Sequence, residues 1–288
     1  MPCRFCRILY DHSCARRLYN LCMNITTQYI PREYLALKIN YCRQQLERLP
    51  EVTRTKRRVR GAIRDVYVVN DHPYSLESKT GKYLLQTEQQ REEILCKLSD
   101  LEGRWYSSFR GEPPADIKPV PVRRRYLNPA EESVFIGRKF FDSLKHDSNI
   151  YYPEHKTVYY NDTLYRSAAE ANIARFYTEN GIPFKYEPEI WLLGMKNAIY
   201  PDFVILIEEL DLCKFHEHFG LKNSADYSRK TSTTYNNYSG AGLLPELDVY
   251  YTYDVDNMPF DTRSLATKLN SAVYDSLLGV NIPFSDSV

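Results

Sequence analysis

Residues 200–221 read YPDFVILIEELDLCKFHEHFGL, and the reading of this stretch decides the fold. Two apolar runs, Tyr200–Ile207 and Cys213–Phe219, have the character of core strands. Each carries a carboxylate near one end, Asp202 in the first and Glu217 in the second. Pro201 can open a strand but not sit in its middle, so Asp202 lies at a strand start. Paired as antiparallel neighbours, the two strands bring both acids to one end of a sheet. Two like charges in one site repel and raise a pKa unless a cation neutralises them. Hard oxygen donors of this kind suit Mg²⁺, which one or two carboxylates hold together with water and a substrate phosphate. His216 and His218 flank Glu217, but strand alternation turns them to the opposite face.

Working outward, the surrounding pattern is compact α/β. TVYYNDTLYRS, from Thr157, is hairpin-like with Asn161-Asp162 at its turn. SAAEANIARFYTENG is a helix, with Ser167 as N-cap, Glu170 three residues on as in a capping box, and Gly181 as its stop. IPFKYEPEIWL reads as a strand ahead of the two already named. Asp226–Tyr238 reads as a helix, LPELDVYYTYD as a fourth strand and Thr262–Leu278 as a final helix. After the opening hairpin the order is helix, three strands, helix, strand, helix.

The N-terminal part has another character. Pro31–Leu49 and Leu84–Phe109 carry helical apolar stripes and can pair as an antiparallel hairpin. Between them AIRDVYVV reads as a strand, NDHP as a turn and KTGKYL as a returning strand. Arg54, Lys56, Arg57, Arg58, Arg60 and Arg64 make the densest positive segment of the chain. Contact with nucleic-acid phosphates and an exposed ribbon with no ligand weigh equally for it. Residues 111–132 hold five prolines with polar spacers, which mark a linker or a surface-crossing segment. The expected division is a basic arm over residues 1–125 and a second domain over 126–288.

The net charge of +1 hides this asymmetry. Residues 1–130 carry 24 Lys+Arg against 14 Asp+Glu, and the remainder 14 against 23. A basic half joined to an acidic half fits a polyanion-binding arm beside a metal-binding domain, and equally well solvated surfaces of uneven charge. No apolar run is long enough to span a membrane, and MPCRFCRILYDHSCARR has no apolar core of the signal-peptide kind. Seven cysteines spread over 288 residues fit reduced thiols and a cytoplasmic setting. Cys3, Cys6, His12 and Cys14 have the chemistry of zinc ligands but cramped spacing, so ordinary thiols are the favoured reading. The many tyrosines can stack on unpaired bases, though core-edge packing is their default role.

RSAAEANIARFYTENGIPFKYEPEI, then YPDFVIL, then FHEHFGL, resembles the PD-(D/E)XK nuclease superfamily, and within it a bacterial and phage-type branch. The resemblance covers about residues 156–280. It implies a restriction-endonuclease-like α/β core, a mixed central sheet flanked by helices, with an N-terminal helical hairpin carrying a basic β insertion. It further implies phosphodiester hydrolysis that depends on Mg²⁺ or Mn²⁺, with DNA favoured over RNA as substrate. The family's helix acid falls on Glu170 and its metal ligands on Asp202 and Glu217. Glu187 matches a first-strand acid, read either as an auxiliary ligand or, preferably, as a strand-end charge. An E-x-K signature would place lysine at position 219, where this chain has Phe219. Branch members instead carry a lysine at positions that here hold Thr234 or Ala168. Lys230, one helical turn before Thr234, is the candidate replacement, with Arg229, Arg166 and Lys185 as the other nearby cations. The rival expectation is a silent nuclease fold that binds nucleic acid or a protein partner. A dimer is allowed but not required.

Overall fold

The computed structural model describes residues 32–59, 61–110, 112–220, 225–254 and 260–280. The described residues divide into two compact units, Arg32–Pro119 and the residues from Val120 onward. Cys3, Cys6, His12 and Cys14 lie outside the described residues. Among the described residues no helix is long and apolar enough to cross a membrane.

The first unit is built on α1 (Arg32–Arg48) and α2 (Lys79–Phe109). They pack antiparallel: Arg32 near the start of α1 meets the Trp105 and Phe109 rings near the end of α2. Arg43 pairs with Glu102 at 2.7 Å. Arg91 donates to the carbonyls of Leu46 and Leu49, closing the C-terminal end of α1. Between the helices lies an antiparallel sheet of β1 (Thr53–Val59), β2 (Ala62–Val69) and β3 (His72–Ser75), in that order. Asn70 and Asp71, at φ 48° and 63°, make the two-residue turn into β3. The returning strand is therefore HPYS, and KTGKYL, expected as that strand, opens α2 instead. Ser78 is the reason: its side chain caps the helix by accepting from the Gly81 N–H at 2.9 Å. Gly81 then lies so close to β3 that a Cβ would sit 1.9 Å from the Ser75 carbonyl oxygen.

The second unit is mixed α/β. It opens with β4 (Arg125–Leu127), β5 (Ser133–Phe135) and the short α3 (Arg138–Ser143). A hairpin of β6 (Val158–Tyr160) and β7 (Thr163–Tyr165) turns through Asn161 and Asp162, both at positive φ. Then follow α4 (Ala168–Glu179), β8 (Phe184–Tyr186), β9 (Phe203–Ile207), β10 (Leu212–Phe219), α5 (Ala225–Gly240), β11 (Val249–Tyr253) and α6 (Thr262–Val280). The main sheet has the order β11-β10-β9-β8. β8, β9 and β10 run antiparallel, and β11 joins β10 in parallel through the α5 crossover.

Helices cover both faces of this sheet. Tyr177 of α4 packs on Phe203 and His216 from one side, where α6 also lies against α4 and β11. Phe140 of α3 and Tyr238 of α5 reach Phe215 from the other. β9 is buried at every position, as a central strand covered on both faces requires. The expected strand IPFKYEPEIWL shrinks to three residues because Glu187 adopts φ 40° and Pro188 removes a donor. Of the two readings of the proline-rich segment, its part from Val120 fits the surface-crossing one. Val122 donates to the Leu210 carbonyl, and Arg124 pairs with the buried Asp248 at 2.5 Å, so the chain from Val120 belongs to the second unit.

Candidate functional site

The β9–β10 register ends at Phe203 opposite His216, one step short of Asp202 and Glu217. Continued by that step, it sets the two acids side by side at one end of the sheet. Both line a cavity of 660 Å³ in the second unit. The His218 N–H donates to Asp202 Oδ2 at 2.7 Å, which fixes that carboxylate across the strand pair. The Tyr238 hydroxyl, on α5, donates to Glu217 Oε1 at 2.5 Å. Burial first, then the charges of Glu217 and Glu170, hold the Asp202 carboxyl well above the usual carboxylate range. The hydrogen bond from the His218 amide opposes the rise, and the charge of Glu187 adds to it.

Glu170 lies on the first turn of α4 with its carboxylate already engaged. It accepts from the Tyr186 hydroxyl at 2.7 Å, from the Arg166 N–H at 3.1 Å and from Ser167 Oγ at 3.2 Å. Burial raises its pKa, and these donors work against the rise. Glu170 therefore stands behind the cavity as a polar anchor and a charge felt by Asp202, whereas Asp202 and Glu217 face it.

Glu187 lines the cavity too, but as the hub of an ion-pair network. Arg166 Nε lies 2.6 Å from its Oε1 and Lys156 Nζ 2.6 Å from its Oε2. Asn149 Nδ2 donates to Oε1 at 2.9 Å. Lys156 also pairs with Asp147 and sits over the Tyr186 ring. Two cations and an amide thus converge on one buried carboxylate at the end of β8.

The other cations near the motif divide clearly. Arg166 is committed to Glu187, Lys185 stacks over Phe141 at 5.2 Å, and the buried Lys214 donates to the Leu247 carbonyl. Thr234, Asn237 and Tyr238 show which face of α5 meets the cavity. Lys230 is on that helix one turn before Thr234, and its side chain lies outside the described residues. His216 is fully buried on the opposite face of the sheet, bonded to the Tyr177 hydroxyl and to Thr252, each at 2.7 Å. His218 meets the same threonine at 2.8 Å. Neither imidazole turns toward the carboxylate pair.

The basic ribbon forms β1 and the start of β2. Arg54, Lys56, Arg57, Arg58 and Arg64 are exposed, and Arg60 lies outside the described residues. Arg54 stands 3.6 Å from Asp65. Arg57 and Arg64 are cross-strand partners, a like-charge pair that destabilises a hairpin unless anions screen it.

Compared with known proteins, the chain matches no family model, no curated protein and no solved structure.

The donor chemistry can be judged from the residues themselves. Among the described residues no three His, Cys, Asp or Glu side chains gather into a cage. Asp202 and Glu217 remain as a pair of hard oxygen donors on one cavity wall. Such a pair is too small for an all-protein site, but it fits a cation that completes its shell with water and substrate oxygens. Tyr238, Tyr186 and Lys156 were not singled out in the sequence. They act through contacts to residues 16 (Tyr186), 21 (Tyr238) and 31 (Lys156) positions away, which no local pattern encodes.

Proposed function

We propose that the second unit is a nuclease core of the restriction-endonuclease-like kind, hydrolysing phosphodiester bonds in nucleic acid, DNA before RNA. The observation that carries this reading is the convergence of Asp202 and Glu217 on one cavity at one end of an antiparallel strand pair. The element order supports it as well: an acid-bearing helix, three antiparallel strands, a crossover helix and a parallel fourth strand. Asp202 and Glu217 are the residues that would hold Mg²⁺ or Mn²⁺. When bound, such an ion activates water and neutralises charge on the departing oxygen.

The chain's own residues prepare that chemistry. The His218 N–H and the Tyr238 hydroxyl each fix one oxygen of the pair, so the two carboxylates are held before substrate arrives. Glu170 adds negative potential from behind while keeping Tyr186 and the start of α4 in place. Lys230 is the candidate to orient the attacking water or to stabilise the phosphate in flight. Arg54, Lys56, Arg57, Arg58, Arg60 and Arg64 would grip backbone phosphates without reading sequence.

The test is incubation of purified protein with plasmid, linear single strands and RNA, in Mg²⁺, Mn²⁺ or EDTA. Cleavage that needs a metal and vanishes in Asp202→Asn is expected. No cleavage of any substrate with either metal would refute the reading. One observation favours a second one, a silent fold that only binds: Phe219 stands where lysine would most simply serve. Salt-sensitive binding that survives Asp202→Asn but weakens in Arg57→Ala/Arg58→Ala, without cleavage, would establish that alternative.

A further inference from the structure

Beside the carboxylates the cavity has an aromatic rim. Tyr151 and Tyr152 both line it, with 57% and 64% of their surface exposed. Tyr151 meets Tyr200 edge-on, with ring centroids 6.0 Å apart. Tyr152 stacks one face on His155 at 5.3 Å, with 10° between the planes. Among the described residues no ring covers its other face.

The loop carrying these rings is fixed from below. Arg166 donates from Nη2 to the Tyr151 carbonyl at 2.7 Å and from Nη1 to the Tyr152 carbonyl at 3.3 Å. The Tyr151 N–H donates to Asn149 Oδ1 at 3.0 Å, and Lys156 Nζ reaches the Asn149 carbonyl at 3.3 Å. Arg166, Lys156 and Asn149 all converge on the carboxylate of Glu187. Tyr152 is held at φ 53°, a left-handed conformation that a bulky residue keeps only where its surroundings over-determine it. Exposed tyrosines on a loose loop would be ordinary. Exposed tyrosines locked in strained backbone over an acid-lined cavity form a pre-organised platform.

The chemistry of the cavity selects what lies on that platform. Its deep end is acidic, so a phosphate backbone is repelled there until a cation binds. A nucleobase is uncharged and stacks on an aromatic face without one. A duplex keeps its base faces buried in its own stack, and only an unpaired strand offers them. We propose that the Tyr151–Tyr152 rim is a stacking platform for unpaired bases, which makes single-stranded nucleic acid the substrate class of the site. The inference rests on the nuclease reading for the word substrate, and its binding step stands independently of it.

The test is fluorescence anisotropy in EDTA, with the full chain carrying Asp202→Asn and, to remove phosphate binding by the basic ribbon, Arg57→Ala/Arg58→Ala. The probes are labelled oligothymidylate, labelled oligouridylate and a blunt DNA duplex. Both single strands are expected to bind about tenfold more tightly than the duplex, and Tyr151→Ala/Tyr152→Ala is expected to lose about tenfold or more of that affinity. Tyr151→Phe/Tyr152→Phe keeps the ring faces and is expected to retain it. An unchanged melting temperature in the alanine variant excludes misfolding as the cause. Duplex binding as tight as single-strand binding overturns the proposal, as does an alanine variant that binds single strands like its parent. Protein that binds single strands through these rings but never cuts keeps this inference and loses the nuclease reading. Protein that cuts duplex with Mg²⁺ but fails the anisotropy test does the reverse.

Discussion

Removing the carboxylate of Glu187 would leave the part-buried Arg166 without its counter-charge and the almost fully buried Lys156 with Asp147 alone. Breaking a buried pair from one side leaves an uncompensated charge and costs about 3–5 kcal/mol. Glu187→Ala is expected to lose stability on that scale, read as the shift in the urea midpoint. A loss below about 1 kcal/mol, the level of a surface ion pair, would contradict the hub described above. At this scale the sequence was informative about which acids matter and silent about their partners. Asp202 and Glu217 were legible because strand pairing alone brings them together. The Glu187 network was not, since Lys156 and Arg166 precede it by 31 and 21 positions and meet it only in the folded unit. Glu170 was legible as a cap, and the structure confirms the Ser167 bond at 3.1 Å. Its tie to Tyr186 needed the tertiary packing.

Elements with strong punctuation were read well. Asn-Asp turns, the Ser167 cap and Gly181 at φ 60° mark boundaries by local chemistry alone. KTGKYL misled because it follows the NDHP turn, where a returning strand is expected, and the deciding facts are the Ser78 cap and a close approach between β3 and α2. That approach makes a prediction. A methyl group at position 81 would sit 1.9 Å from the Ser75 carbonyl oxygen, a backbone atom with little room to yield. Gly81→Ala is therefore expected to destabilise the Arg32–Pro119 unit by about 1–3 kcal/mol or more, even though alanine favours helices. Thermal unfolding followed by circular dichroism checks it, and a neutral or stabilising substitution would refute the contact.

Across the whole molecule, buried imidazoles set the response to acid. His146 accepts from the Tyr186 N–H at 3.2 Å, and burial lowers its pKa, with Lys185 and Lys156 assisting and Asp147 opposing. His216, fully buried, is pushed well below the usual histidine value. A histidine with a lowered folded pKa contributes stability that is complete above its unfolded value of about 6.5 and is lost as pH falls through the folded value. Asp202 and Glu170, both raised, act with the opposite sign and soften the decline. The melting temperature is expected to fall between about pH 7 and about pH 5. His146→Asn, whose side-chain oxygen can still accept from Tyr186, is expected to fall less steeply. Identical slopes in the two proteins would show that His146 takes no part. The composition of the chain signalled its uneven charge and its two-part layout. It did not signal that the residues from Val120 join the second unit, because that depends on Arg124 finding Asp248, 124 positions away.

The measurement that bears most directly on the central claim is cleavage of an end-labelled DNA in Mg²⁺ or Mn²⁺ by the wild-type chain, Asp202→Asn and Glu217→Gln, with folding of each checked by its melting curve. The two carboxylates acting as one metal-holding pair predicts that either substitution alone abolishes cleavage while the fold persists. A folded variant that still cuts at the wild-type rate would contradict it.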